Sequence, residues 1–195
     1  MSKLYFSADL HEGHHNNLRY SKRPFKSVEE QHEVFVRNFN SRVDDEDLVI
    51  HDGDYAFRNS PGGKSGEGTI RKAKDWQKDY KGNWIYVAGN HDRNNSLKTP
   101  IEKMYLRYGG KRICVVHNPK YADPFCELNF TAHVHLHWKI KRLNDKSIMV
   151  NIGIDQWKYF PVTYEEINKE VSKFIKQEKI HVIRAGKIEG KKVQE

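Results

Sequence analysis

Two patterns of apolar positions alternate along the chain. Short runs of β-branched and aromatic residues at 4–8, 48–50, 83–88, 113–116 and 128–132 predict buried strands. Residues 138–143 alternate with polar positions, Asn144-Asp145-Lys146 reads as a hairpin-like turn, and 147–153 forms another apolar run. Between these lie stretches whose apolar residues return every three or four positions. Ser27-Val28-Glu29-Glu30 is a capping box, and Val28, His32, Phe35, Phe39 and Val43 space a helix to about residue 42. Ile70, Ala73, Trp76 and Tyr80 predict a helix ending near Gly82, a residue suited to a left-handed cap. Leu97, Ile101, Met104 and Tyr105 predict a short helix, and Tyr108-Gly109-Gly110-Lys111 a turn into the strand that follows. Thr163-Tyr164-Glu165-Glu166 is a second capping box, opening a helix through Ile167, Val171, Phe174 and Ile175.

The segments between are polar. Residues 12–24 read as a long loop with a short helical turn. Asp44-Asp45-Glu46-Asp47 reads as a solvated acidic turn, and Ser60-Pro61-Gly62-Gly63-Lys64-Ser65-Gly66 as a flexible loop. Gly63-Lys64-Ser65 is not a phosphate-binding loop, because Arg58 stands where that motif needs glycine. No internal repeat is visible. The pattern predicts one domain over 1–176 and a basic tail over 177–195, with an edge strand at Ile180-His181-Val182-Ile183.

Composition narrows the class. The 195 residues, 37% hydrophobic and 31% charged, suffice for a single domain with a real core. No apolar run nears the ~20 residues that span a bilayer, and Met1-Ser2-Lys3 leads straight into the first strand, so neither membrane span nor signal peptide is expected. Cys114 and Cys126 sit in or beside apolar runs and are expected to be reduced core thiols, which places the chain in the cytoplasm. A formal net charge of +8 suits an anionic substrate or a polyanionic partner.

The candidate chemistry lies where the strands end. Residues 4–8 deliver Asp9 and His11, and 48–50 deliver His51-Asp52-Gly53-Asp54. Residues 83–88 deliver Gly89-Asn90-His91-Asp92, 113–116 deliver His117, and 128–132 deliver His133 and His135. Carboxyl ends of strands are where ligands bind in α/β sheets. A mixed Asp/His/Asn set favours a first-row transition ion over calcium. Asp54, alone after Gly53, suits bridging two ions, which together can clamp the attacking and leaving oxygens at phosphorus.

Asp9-X-His11, Gly53-Asp54, Gly89-Asn90-His91-Asp92, His117 and His133-X-His135, in that order, resemble the motif set of the calcineurin-like metallophosphoesterases. The resemblance implies an α/β fold, a four-layer α/β/β/α sandwich of two mixed sheets flanked by helices. It also implies two divalent ions, from manganese, iron, zinc and nickel. One would be held by Asp9, His11, Asp54 and His135, the other by Asp54, Asn90, His117 and His133. His91 would serve as general acid, Asp92 would orient its loop, and a water or hydroxide on the ions would be the nucleophile. Residues 6–25 and Asn151-Ile152-Gly153-Ile154-Asp155-Gln156-Trp157 further resemble a small bacterial and phage branch of that family.

Two departures bear on the substrate. Ala132 stands where the family usually has glycine, and Phe57 replaces a carboxylate of the protein phosphatases, which disfavours a phosphoprotein substrate. Asp52 adds a charge beside the ligands for which the sequence offers no account. The leading expectation is a phosphoesterase acting on small phosphodiesters or phosphomonoesters, nucleotides included. His14, Asn17, Arg19, Arg23 and Arg58 are the candidate substrate-holding groups. The alternatives are a nuclease, with Trp138, Trp157 and Tyr159 as stacking platforms, and a non-catalytic scaffold of the same fold.

Overall fold

The structure, a computed structural model, describes residues 2–57, 71–92 and 97–192, with side chains to residue 180. Arg58, Ile70 and the Ser60–Gly66 loop fall outside the described residues. Strands β1 (Leu4–Ser7), β2 (Leu48–Asp52), β3 (Asn83–Val87) and β9 (Val162–Thr163) form one sheet in the order β3-β2-β1-β9. β1, β2 and β3 run parallel and β9 antiparallel. The second sheet has the order β4-β5-β6-β8-β7, from β4 (Met104–Tyr108), β5 (Lys111–Val115), β6 (Leu128–Thr131), β7 (Ile140–Asn144) and β8 (Ser147–Asn151). Its central strands β5, β6 and β8 are parallel and its edges antiparallel.

Alternation along the strands builds two apolar layers. Phe6, Ile50, Val115, Phe130 and Val150 fill the space between the sheets, with Phe6 and Phe130 edge to face at 4.8 Å. The opposite faces of β1 and β2 give Tyr5 and Val49 to a second layer beneath α2 (Val28–Asn40) and α3 (Ala73–Gln77), which follow the short α1 (His15–Tyr20) and supply Phe35, Phe39 and Trp76. Ser27 caps α2 as expected, its Oγ accepting from Glu30 N at 3.2 Å. The outer face of the second sheet is roofed by a 3-10 turn at Pro119–Tyr121 and the loop after it. That loop is stitched down by Asn129, whose Oδ1 accepts from Asp123 N at 2.6 Å, and by Asn144, whose Nδ2 donates to Pro124 O at 3.0 Å.

Three local expectations give way. The helix expected over Leu97–Tyr105 is instead a loop and then β4. Gly109 and Gly110, at φ 57° and 75°, make a two-residue turn that only a hairpin uses, and it pairs Tyr108 with Lys111. Ile180–Ile183 is no edge strand, because α4 runs unbroken over Tyr164–Lys192. The Thr163 capping box starts it, with Glu166 N on Thr163 Oγ1 at 3.3 Å and Thr163 N on Glu166 Oε2 at 3.0 Å. Lys- and Glu-rich sequence beyond Gln177 then favours continuing a helix once it is nucleated. The turn at 44–47 is not wholly solvated: Asp47 is buried and accepts from Lys3 N at 2.7 Å and Asp44 N at 2.9 Å. Cys114 and Cys126 are free and buried. Among the described residues no helix is long and apolar enough to cross a membrane.

Candidate metal centre

The parallel strands β1, β2 and β3 of one sheet and β5 and β6 of the other end at the same edge of the sandwich. Just past those ends the chain bends sharply. Asp9, His11, Asp54, His133 and His135 have φ of 57°, 53°, 54°, 69° and 45°, a left-handed conformation in which Asp and His are tolerated better than branched residues. Left-handed bends let a residue that would have continued the strand turn its side chain in toward the opposite sheet. Backbone bonds hold the bends together: Asp9 N donates to Gly53 O at 3.0 Å and His11 N to Asp54 O at 2.9 Å. Across the gap, His133 N donates to Asp9 Oδ2 at 3.0 Å.

These side chains form overlapping donor groups, each within 4.8 Å: Asp9, His11 and His135; His11, Asp54 and His91; and Asp54, His117 and His133. His11 Nε2 stands 3.7 Å from Asp9 Oδ1 and 3.6 Å from Asp54 Oδ2, and His117 Nε2 3.2 Å from Asp54 Oδ2. Donors about 2.1 Å from a shared ion lie roughly 3.0–3.4 Å apart at tetrahedral or octahedral angles, so small adjustments admit a cation. Asp9 Oδ1, His11 Nε2 and His117 Nε2 are buried without a hydrogen-bond partner. Buried polar atoms are ordinarily satisfied, so a cluster of orphans marks a place built for something else. The residues fit a divalent ion.

Electrostatics agree. Burial raises the Asp9 carboxyl to about 6. At His117 burial acts downward, but the Asp54 carboxylate 3.2 Å away and the other carboxylates nearby outweigh it and push the imidazole up to about 10. Burial holds His11 well below the ordinary histidine value. The centre therefore sets buried carboxylates against imidazoles and is suited to a positive guest.

Neighbouring groups fix the orientation of the candidate ligands. His117 Nδ1 donates to Asp52 O at 2.7 Å, which leaves Nε2 as the atom facing Asp54. His135 Nδ1 bonds Asp155 Oδ2 at 2.9 Å, and Asn90 Oδ1 lies 2.9 Å from His133 Nδ1. Asp92 is buried, its carboxylate accepting from Asp54 N, Gly89 N and Tyr55 N at 2.7, 2.9 and 3.1 Å. It thus ties the Gly89 turn to the Asp54 turn. His91 N donates to Asp54 Oδ1 at 2.8 Å, and its Nε2 lies 4.0 Å from Asp54 Oδ2 on the more open side of the centre. A Cβ on Gly89 would stand 2.1 Å from Asp54 Oδ1, which is why glycine occupies that turn. Asp52 is wholly buried, and burial pushes its carboxyl well up; its backbone carbonyl is what serves His117.

The substrate-holding candidates divide. His14 and Asn17 line a cavity of about 500 Å³ next to the centre, with His11, His91, His135, Tyr20 and Lys22. His14 stacks on Phe57 at 3.9 Å, and Asn17 accepts from the Ser21 hydroxyl at 2.9 Å. Arg19 faces a separate surface groove with His15 and Lys26. Arg23 does not line the cavity beside the centre; it borders the groove with Arg19. Its buried guanidinium bonds Asp155, Gln31 and the carbonyls of Asp9 and Leu10, structural work that accounts for an arginine in this loop. The stacking aromatics expected for a nuclease are also occupied in part: Trp157 Nε1 donates to Asn151 O at 2.9 Å, and Tyr159 packs on Phe25 and Phe35. Asp155 is the residue that sequence reasoning missed. Its signals are a place in the 151–157 stretch quoted above and a carboxylate directly after the apolar Ile152-Gly153-Ile154.

Comparison with known proteins agrees with this geometry. A curated protein of Methanocaldococcus jannaschii, the uncharacterized protein MJ1445, is 29% identical over 180 residues, covering 89% of this chain and 93% of that protein. The crystal structure of the protein of unknown function AQ665 from Aquifex aeolicus superposes with a TM-score of 0.64 at 24% identity, covering 87% of this chain and 99% of that one. Residues 2–190 match the family model for calcineurin-like phosphoesterases. With its strand-end Asp and His side chains gathered between two mixed sheets and that match along almost its whole length, this chain belongs to the calcineurin-like phosphoesterase family.

Proposed function

We propose that this chain is a two-metal hydrolase of phosphodiesters or phosphomonoesters, nucleotides among them. The observation that most supports it is that Asp54 stands between His11 and His117, with His91 at the rim of the same cluster. In this reading Asp9, His11, Asp54 and His135 hold one ion, and Asp54, Asn90, His117 and His133 the other. Divalent ions bound there would supply water activation and charge neutralisation at phosphorus. The mixed carboxylate and imidazole donors suit manganese, iron, zinc or nickel.

The chain's own groups do the rest. His91, its side chain 31% exposed, reaches the open side of the centre and can pass a proton to the departing ester oxygen. Asp92 holds the turn that carries it. The adjoining cavity takes the organic arm of the ester. Asn17 Nδ2, buried and without a partner in the protein, offers that arm a hydrogen bond, and Lys22 stands at the rim as a cation.

A chromogenic phosphomonoester and phosphodiester, assayed with manganese, nickel, zinc and magnesium, test this reading. Hydrolysis of one or both is expected. His91→Asn should lose on the order of 10²–10⁴ in turnover while metal uptake is unchanged. A wild-type rate in that variant removes His91 from the chemistry, and no hydrolysis with any ion favours a non-catalytic scaffold.

A second reading, a nuclease, draws on the net charge of +8 and on a cavity of about 880 Å³ on the Asn90–His117 side, lined by Lys98, Lys103 and Tyr121. A strand laid across the centre would meet both cavities. Binding to DNA or RNA that weakens steeply with salt, together with cleavage products on a gel, would support it. Salt-insensitive or absent binding would refute it.

A further inference from the structure

Arg23, Asp155 and His135 form a buried chain leading to one half of the centre. All five guanidinium N–H groups are engaged. Nε donates to Asp155 Oδ1 at 2.8 Å and Nη2 to Asp155 Oδ2 at 3.1 Å, a forked pairing. Nη1 donates to Leu10 O and Gln31 Oε1, each at 2.8 Å, and Nη2 also to Asp9 O at 2.5 Å. Asp155 Oδ2, in turn, is 2.9 Å from His135 Nδ1. Both Arg23 and Asp155 side chains have 0% exposure.

We propose that Arg23 and Asp155 are positioning residues for one ion site and not the other. The inference rests on the two-metal reading above. One planar cation fixes two ligand-bearing segments at once. Through Asp155 it sets the ring of His135 and keeps the proton on Nδ1, so that Nε2 faces Asp9 and His11. Through the carbonyls of Asp9 and Leu10 it clamps the left-handed bend from which Asp9 and His11 project. The Asp54–His117–His133 group is oriented by different partners: the Asp52 carbonyl, the Asn90 amide and the Asp92 carboxylate. None of these Arg23 bonds reaches that group. Lysine would not substitute, because a point charge cannot make the fork to Asp155 and reach two backbone carbonyls together.

The test is a calorimetric titration of manganese into chelator-stripped wild type, Asp155→Asn and Arg23→Lys, with melting temperatures recorded alongside. Wild type should show two binding events. In Asp155→Asn one should keep its wild-type affinity and the other fall by roughly 10–100-fold, the usual effect of removing a group that orients a ligand. Arg23→Lys should weaken the same event. The comparison is internal, since a general loss of stability lowers both events together. If Asp155→Asn does not fold, Arg23→Lys carries the same measurement. Two events weakened equally, or neither weakened, overturn the proposal. A wild-type chain that takes up no divalent ion overturns the two-metal reading itself, and the proposal with it.

Discussion

Asp92→Asn isolates the carboxylate that joins the Gly89 turn to the Asp54 turn, with almost no change in shape. In the wild type Oδ2 accepts from Asp54 N at 2.7 Å and Gly89 N at 2.9 Å, and Oδ1 from Tyr55 N at 3.1 Å. An amide has one acceptor. Its oxygen is best placed toward the pair of donors, so its NH2 then faces the Tyr55 N–H with nothing to offer. One buried amide is orphaned, and the bonds that remain are no longer charge-assisted. Burial already pushes the Asp92 carboxyl up against the pull of those amides, so neutralising it returns part of a desolvation cost. The net loss comes to about 2 kcal/mol, or roughly 4–8 °C in melting temperature for a chain of this size. Asp92→Ala orphans all three amides and should cost roughly 3–9 kcal/mol. Calorimetry on metal-free protein reads both variants without involving the ions. A shift below about 1 °C in the two of them would refute the idea that this carboxylate holds the turns together.

Gly89→Ala puts a Cβ 2.1 Å from Asp54 Oδ1 and 2.3 Å from Asp54 N, so it should cost ~1–3 kcal/mol and abolish metal uptake; metal analysis showing wild-type content would contradict the placement of Asp54. His32 lies between two carboxylates, with Nδ1 2.9 Å from Glu12 Oε1 and Nε2 3.0 Å from Asp79 Oδ2. Tyr80 also donates to Glu12, and Arg71 pairs with Asp79 at 2.8 Å. Burial acts to lower this imidazole, but the two carboxylates outweigh it and hold it above its ordinary 6.5. The folded chain therefore binds that proton more tightly than the unfolded one. The stabilisation is complete below the ordinary value and is lost as pH rises through the raised one. Melting temperature should fall as pH rises above the ordinary histidine value more steeply in wild type than in His32→Gln, and parallel curves would refute it.

The strand-end cluster was legible because each of its residues requires only its own run of apolar residues and the polar residue that ends it. Asp9, Asp54, Asn90, His117 and His133 each announce themselves locally, and their order carries the family resemblance. The helices under Ser27 and Thr163 were legible for the same reason, since cap and spacing are both short-range. What escaped depends on distance or on competing periods. Arg23 and Asp155 are 132 positions apart, and nothing in either neighbourhood says that they pair; an arginine among histidines reads equally well as a phosphate ligand. Met104 and Leu106 face one way in β4, but Leu97, Ile101, Met104 and Tyr105 also satisfy a helical period. Only the two-glycine turn decides between them. Ile180–Ile183 is a β-branched run inside a helix that had already begun at Tyr164, and local strand preference yields to that continuation.

The left-handed bends at Asp9, His11, Asp54, His133 and His135 have a consequence for how this protein would behave under artificial selection. Each bend strains the backbone by about 1–3 kcal/mol in a non-glycine residue, and glycine would relieve it while deleting a donor. If these residues hold ions as proposed, heat resistance and ion capture pull the positions in opposite directions. A library screened for survival of heating in the presence of a chelator should accumulate glycine at those codons, and the same library heated with manganese should purge it.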